Sequence, residues 1–77
     1  MGFDSLTERI RESRLPDPSV RKKAREMAGV SIREMAEALS VSPMTLLRWE
    51  KGKEPRRRSQ AIAYRQLLDE LQKAVSI

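Results

Sequence analysis

Serine, proline and glycine stand in this sequence at spacings that mark where α-helices begin and end. Ser31 precedes Glu34 by three residues, the spacing of a capping box, in which each side chain binds the backbone N–H of the other residue. Ser42 stands directly before a proline, which is tolerated in the first helical position because no N–H is needed there. Gly29 and Gly52 can adopt the left-handed conformation that closes a helix. These signals restrict the middle of the chain to short helices.

Similar signals on either side complete a set of five predicted helices. Ser5 and Glu8 form another capping-box pair, and Asp17 is expected to cap the next helix ahead of Pro18. Ser59 is expected to cap the last helix. No stretch alternates polar and apolar residues with period two, so no strand is predicted. The predicted fold class is all-α, a compact bundle of about five short helices.

One domain is predicted for the whole chain, because its 77 residues fall below the roughly 100–200 residues of an ordinary domain. A domain of this size buries only about 60% of its unfolded surface, so we expect a thin core. The expected parts are an N-terminal helix extension at 1–16, a core with a basic connector at 17–58, and a C-terminal helix at 59–77.

Apolar residues recur at helical spacing in each predicted helix and are expected to face a shared core. Trp49 is the only tryptophan, and as a lone aromatic on an apolar stripe it is predicted to be core rather than a base-stacking platform. The N-terminal helix has Phe3, Leu6 and Ile10 at the same spacing. The predicted inward positions of the other helices are Val20, Ala24, Met27, Ala28, Ile32, Met35, Ala36, Leu39, Val41, Leu46, Leu47, Trp49, Ile62, Tyr64, Leu67, Leu68, Leu71, Ala74 and Val75.

Composition removes several classes of function. The chain has no cysteine, which excludes disulfides, iron–sulfur clusters and thiolate zinc sites, and no histidine, the commonest general base and metal ligand. We therefore expect no metal and no cofactor, and an enzyme is the least favoured class. No apolar run reaches the ~20 residues of a membrane helix, so no membrane partner is expected.

Positive charge is concentrated in one segment. The net charge is +5, and residues 43–58 alone carry six cations against Glu50 and Glu54. The six are Arg48, Lys51, Lys53, Arg56, Arg57 and Arg58. By itself this pattern fits a solvated charged surface as well as a binding site for a polyanion.

Residues 31–50 have the spacing of two short helices joined by a three-residue turn. In such an arrangement the first helix can brace against the DNA backbone while the second lies in the major groove. With Leu46 and Trp49 turned inward, the outer face of the second helix presents Pro43, Met44, Thr45 and Arg48.

The sequence over about 20–55 also contains a series of residues spaced as in a known family. They are Arg25-Glu26-Met27-Ala28-Gly29-Val30-Ser31, Met35-Ala36, Leu39, Val41-Ser42, Thr45 and Trp49-Glu50-Lys51-Gly52. This series resembles the Cro/repressor-type (XRE-like) helix-turn-helix family. The resemblance implies a lambda-repressor-like domain of five helices that binds double-stranded DNA, as in phage repressors, bacterial regulators and antitoxins.

The resemblance also implies roles for individual positions. Base contacts are implied for Arg48, Met44 and Pro43, and Arg48 is the strongest of them because its guanidinium can bind guanine O6 and N7 together. An ion pair between Arg25 and Glu50 is implied to be structural. The implied contacts to the DNA backbone are Thr45, Ser31 and Ile32 through the start of their helix, and Lys51, Lys53 and Arg56. By their charge alone, Arg57 and Arg58 beside them also suit phosphates or a minor groove.

Two positions depart from the family pattern. Glutamine is frequent where this chain has Ile32, whose side chain cannot reach DNA in the same way and is expected in the core. Glycine is frequent in the turn where this chain has Ser40, which would be strained in a left-handed conformation.

The expected function is a sequence-specific, double-stranded-DNA-binding transcriptional regulator. A Cro-like phage or bacterial repressor that inserts helix 43–51 in the major groove is favoured, in the cytoplasm or nucleoid of a bacterial host. Alternatives are an antitoxin with a toxin partner, an excisionase or recombination accessory factor with an integrase partner, and a protein-interaction module.

Specific DNA recognition by so small a module usually requires two half-sites, so a homodimer on a palindromic or pseudo-palindromic site is expected. The predicted dimer contact consists of Leu67, Leu68, Leu71 and Val75 on the last helix. The N-terminal helix is the other option for this contact, or it covers the core.

Overall fold

A computed structural model describes residues 5–8, 10 and 14–75 of the chain. Every regular element in these residues is helical, which confirms the predicted all-α class. The helices are α1 at 5–8, with residue 10 also helical, α2 at Pro18–Met27, α3 at Ile32–Ala38, α4 at Pro43–Glu50 and α5 at Arg58–Val75. Helix α3 packs on α4, and α2 packs against both α4 and α5. None of the helices described is long and apolar enough to span a membrane.

The starts of α3 and α4 follow the predicted caps. The Ser31 N–H donates to Glu34 Oε1 and the Glu34 N–H donates to Ser31 Oγ, both at 3.1 Å, so the capping box is complete. The Ser42 hydroxyl accepts from the Thr45 N–H at 3.1 Å. Asp17 occupies the N-cap of α2 as predicted, although its side chain forms no capping hydrogen bond.

Two predicted caps are wrong. Ser5 lies inside the α1 turn rather than before it. Helix α5 begins one residue earlier than predicted, so Ser59 is its second residue, and the Arg57 carbonyl accepts the first hydrogen bonds, from the N–H groups of Gln60 and Ala61 at 3.1 Å. A serine within the first turn therefore produced the same sequence signal as a serine at the cap.

Helices α2, α3 and α4 end in the same way. A residue with positive φ follows each of them: Gly29 at 70°, Ser40 at 57° and Gly52 at 115°. The next N–H in each case reaches back five residues, as from Val41 to the Ala36 carbonyl at 3.0 Å, which is the Schellman arrangement. Ser40 thus adopts the left-handed conformation that was expected to strain it.

The core lies where α2, α3, α4 and α5 meet. Tyr64 and Leu46 have no exposed surface, and the Trp49 and Tyr64 rings lie 5.1 Å apart between centroids at an interplanar angle of 35°. The buried apolar residues are Ala24, Met35, Ala36, Leu46, Trp49, Ala61, Tyr64 and Leu68, and those packed partly buried against the core are Leu15, Val30, Ile32, Leu39, Val41, Leu67 and Leu71.

Several residues predicted to be inward are exposed. Met27 is 60% exposed and Leu47 38%, because each lies at the edge of a helix face that packs on its neighbours only along the central stripe. Val75 is 37% exposed and Ala74 is also exposed, since the end of α5 extends past the core. In α1, Leu6 and Ile10 are both 56% exposed, so they do not cover the core, and Phe3 lies outside the described residues.

Candidate nucleic-acid interface

Helix α4 presents one face to solvent because its opposite face is anchored. Leu46 is fully buried and Trp49 is 4% exposed, which fixes the rotation of the helix about its axis. Pro43, Met44 and Arg48 are then exposed, with Thr45 half-buried beside them. Leu47, predicted to be inward, joins this face. The three predicted base-contact residues therefore share one outward surface of α4.

The start of α3 offers less to a phosphate than predicted. The Ser31 N–H is already bound by the Glu34 carboxylate, and hydrogen bonds from the Ser31 backbone and side chain hold the pKa of Glu34 below its ordinary value. The side chain of Ile32 is half-buried and packs against the core, as expected from its apolar character. Ile32 and Arg33 have the N–H groups that remain for an anion at this end of α3, since those of Ser31, Glu34 and Met35 are hydrogen-bonded.

A groove of about 530 Å³ runs between α4 and the start of α5. It brings together five of the predicted DNA contacts, which come from α4 and from the connector: Thr45, Arg48, Lys53, Arg56 and Arg57. Trp49, Glu54 and Gln60 complete its lining. Gln60 was not predicted as a site residue. Lys51 and Arg58 are exposed but lie outside the groove.

Glu50, one of the two carboxylates in this basic region, is bound from α2 by Arg25. Arg25 Nε donates to Glu50 Oε2 at 2.6 Å and Nη2 donates to Oε1 at 3.1 Å. Arg25 Nη1 also donates to the Val30 carbonyl at 3.0 Å, and the hydrogen bond with Glu50 raises the pKa of Arg25. The expected ion pair is therefore present and ties α2 to the end of α4.

Glu54, the other carboxylate, is bound by Arg21, one turn earlier on α2. Arg21 Nη2 donates to Glu54 Oε1 at 2.7 Å, while the arginine residue is only 2% exposed. Sequence reasoning missed Arg21, because a charged residue on a helix is ordinarily assigned to the solvent face. The available signal was a pair of equal spacings. Arg21 and Arg25 are four residues apart, and so are the two acidic residues Glu50 and Glu54.

The result is a surface of uncompensated positive charge. Both carboxylates of residues 43–58 are bound to arginines of α2, and within the described residues no carboxylate lies within ion-pair distance of the six cations. Among the same residues no group of three or more acidic side chains could hold a metal ion. The arrangement suits an extended polyanion.

The predicted dimer contact does not form one exposed patch. Leu68 is 1% exposed and belongs to the protomer's own core, and Leu67 and Leu71 pack partly buried against it. Val75 lines an apolar hollow of about 370 Å³ between α2 and the end of α5, together with Val20, Ala24 and Met27. Lys23 and Gln72 also line this hollow.

The segment of the chain that carries this surface matches a known protein family. Residues 22–59, which run from α2 through the connector to the start of α5, match a family model described as helix-turn-helix. No curated protein and no solved structure gives a significant match to the chain.

Proposed function

Because the chain belongs to the Cro/repressor-type (XRE-like) helix-turn-helix family, whose members are DNA-binding regulators, we propose that it is a sequence-specific repressor of phage or bacterial origin. In this proposal α4 is the recognition helix and lies in the major groove of double-stranded DNA. The protein acts in the cytoplasm or nucleoid of a bacterial host.

The observation that carries the proposal is the position of the unpaired cations. They lie on α4 and just after it, beside an outward face made of Pro43, Met44 and Arg48. Arg48 reads a guanine through paired hydrogen bonds, and Met44, 59% exposed, contacts a thymine methyl group. Pro43 contributes shape alone, since it has no N–H to donate.

Contacts to the DNA backbone come from both sides of this face. The start of α3 at Ser31 and Ile32 contributes backbone N–H groups. The other residues that bind phosphates are Thr45, Lys51, Lys53, Arg56, Arg57 and Arg58. Each neutralised phosphate releases counterions, so binding weakens steeply as salt is added.

A homodimer on a palindromic or pseudo-palindromic site completes the proposal. Because Leu68 is used in the core, the contact between protomers depends on the exposed Val75 and the partly exposed surfaces of Leu67 and Leu71. Met27, exposed beside Val75 in the hollow between α2 and α5, extends this apolar surface.

Selection of bound sequences from random duplex DNA tests the proposal. The selected site should contain two inverted half-sites with centres about 10 bp apart, one helical turn. Its affinity should exceed that of a scrambled duplex and should fall steeply between two salt concentrations. Absent or salt-independent binding would contradict the proposed function, and a single asymmetric site would contradict the dimer. A toxin or integrase gene beside this one would favour the antitoxin or excisionase role instead.

A further inference from the structure

Arg21 connects three separate segments of the chain from a buried position. Its Nε donates to the Pro16 carbonyl at 2.7 Å, before α2, and its Nη1 donates to the Trp49 carbonyl at 2.9 Å, in the last turn of α4. Its Nη2 donates to Glu54 Oε1 at 2.7 Å, in the connector. All three guanidinium nitrogens therefore have an acceptor.

Stability alone does not account for an arginine at this position. Removing a guanidinium from water costs several kcal/mol, and an ion pair with a carboxylate that is itself 63% exposed, as Glu54 is, returns only part of that cost. An apolar residue on the inward face of α2 would fill the same space, although the Pro16 carbonyl would lose this donor. The hydrogen bond to Glu54 indicates what else the arginine does.

Glu54 occupies an unfavourable position for a DNA-binding surface. It is the one acidic residue among the eight that line the groove between α4 and α5, and its side chain is 63% exposed. Lys53 precedes it, and Arg56 and Arg57 follow Pro55. A free carboxylate here would repel phosphates and would pair with the cations that bind them.

We propose that Arg21 is a positioning residue for DNA binding, which acts by tying the Glu54 carboxylate to α2 and so keeping it from the phosphates. The inference rests on the proposed function and deepens it. In this proposal Arg21 itself does not contact DNA. By binding Glu54 it leaves Lys53, Arg56 and Arg57 without a carboxylate partner, so that they can bind DNA phosphates.

A double-mutant cycle at Arg21 and Glu54 tests this inference, with the dissociation constant for the selected duplex measured at several salt concentrations. Arg21→Met should weaken binding about tenfold and make the salt dependence shallower by about one counterion, because the released carboxylate neutralises one cation. Glu54→Gln alone should bind at least as tightly as the parent protein. In the double variant the affinity and the salt slope should return to those of Glu54→Gln.

The cycle distinguishes this role from a purely structural one. If Arg21→Met weakens binding only because less protein is folded, the weakening should persist in the double variant, and that result would overturn the inference. An unchanged dissociation constant in Arg21→Met would also overturn it. If Arg21→Met does not fold by circular dichroism, Arg21→Lys takes its place, since one ammonium keeps the charge but cannot span all three acceptors. Adding Glu54→Gln to Arg21→Lys should then restore the affinity and the salt slope to those of Glu54→Gln. If they are not restored, the inference is overturned.

The matched control is the ion pair between Arg65 and Asp69 on α5, 3.8 Å apart and outside the groove. Arg65→Met and Asp69→Asn should leave the dissociation constant and the salt slope unchanged. If the parent protein binds no duplex, or binds independently of salt, the proposed function and this inference fail together. Salt-dependent binding without recovery in the cycle rejects the inference alone.

Discussion

Arg21 and Arg25 lie one turn apart on α2, and each binds one of two carboxylates, Glu54 in the connector and Glu50 at the end of α4. Arg25 binds Glu50 through two hydrogen bonds, and Arg21 binds Glu54 through one. The two pairs differ in burial, because Glu50 is 4% exposed at its side chain and Glu54 is 63% exposed. They are therefore expected to differ in purpose, the first serving the fold and the second the binding surface.

Glu50→Gln should lower the free energy of unfolding by about 3 kcal/mol, because it leaves the Arg25 guanidinium without its charge partner in a largely desolvated site. Urea denaturation measures this change. Asp69→Asn, which breaks the exposed pair with Arg65, is the control and should cost less than about 1 kcal/mol. Equal losses in the two variants would show that burial does not set the strength of the Arg25–Glu50 pair.

Ser40→Gly should raise the free energy of unfolding by about 0.5–1 kcal/mol, because glycine adopts a φ of 57° without the clash that an L side chain meets there. Gly29→Ser is the reciprocal variant, at a φ of 70° with no atom within 4 Å of an added Cβ. Its cost should therefore be conformational only, about 1 kcal/mol. Thermal denaturation of both variants checks the signs, and a destabilised Ser40→Gly would contradict this account of the turn.

Tyr64, the only tyrosine, should resist ionisation while the protein is folded. Burial raises the pKa of its phenol, with the Glu50 charge adding to the effect, so the folded state favours the neutral form. The contribution of this raised pKa to the free energy of unfolding is fully present below the ordinary tyrosine pKa of about 10. It is lost as the pH rises above that value. Ultraviolet absorbance should show tyrosinate only at higher pH than in urea-denatured chain, and equal titration curves would contradict this expectation.

Tyr64→Phe should be tolerated or stabilising by up to about 1 kcal/mol, because the buried hydroxyl has no hydrogen-bond partner among the described residues. The ring contact with Trp49 is retained in this variant. Tyr64→Ala, which also removes the ring, should cost about 3–5 kcal/mol. Similar losses in both variants would show that the hydroxyl does find a partner in solution.

Arg48→Ala should relax discrimination at one base pair of each half-site, by about 1–3 kcal/mol, because alanine cannot replace the paired hydrogen bonds that the proposed guanidinium contact makes to guanine O6 and N7. Lys53→Ala should instead weaken binding to all duplexes alike and make the salt slope shallower by about one. Competition binding against the selected site and its single-base variants separates the two outcomes. Uniform weakening by Arg48→Ala would place Arg48 on the backbone.

Much of the fold could be predicted because its helix boundaries are local. The capping box of Ser31 and Glu34 and the cap at Ser42 depend on residues within three positions, and the turns at Gly29 and Gly52 on residues within five. Helical spacing identified the core stripe correctly but not its width. Met27 and Leu47 lie beside the stripe, and how far a neighbour covers them depends on helix packing, which spacing does not contain.

The buried Arg21 could not be predicted because its partners are remote in the chain. Trp49 lies 28 residues away and Glu54 33 residues away. Helical periodicity assigns a charged side chain to the solvent face unless the tertiary structure supplies acceptors. The Arg25–Glu50 pair, at a separation of 25, was predicted only because the family resemblance supplied it.

The ion pairs described above also separate the residues that hold the fold together from the exposed cations of the candidate interface. Arg21 and Arg25 form ion pairs with Glu54 and Glu50. The six cations of residues 43–58 have no carboxylate partner within the part of the chain described. Exchanges among these exposed side chains should alter folding stability by less than about 0.5 kcal/mol. If the proposed function holds, substitutions at these positions can change the recognised sequence one at a time, without compensating changes in the helices that support them.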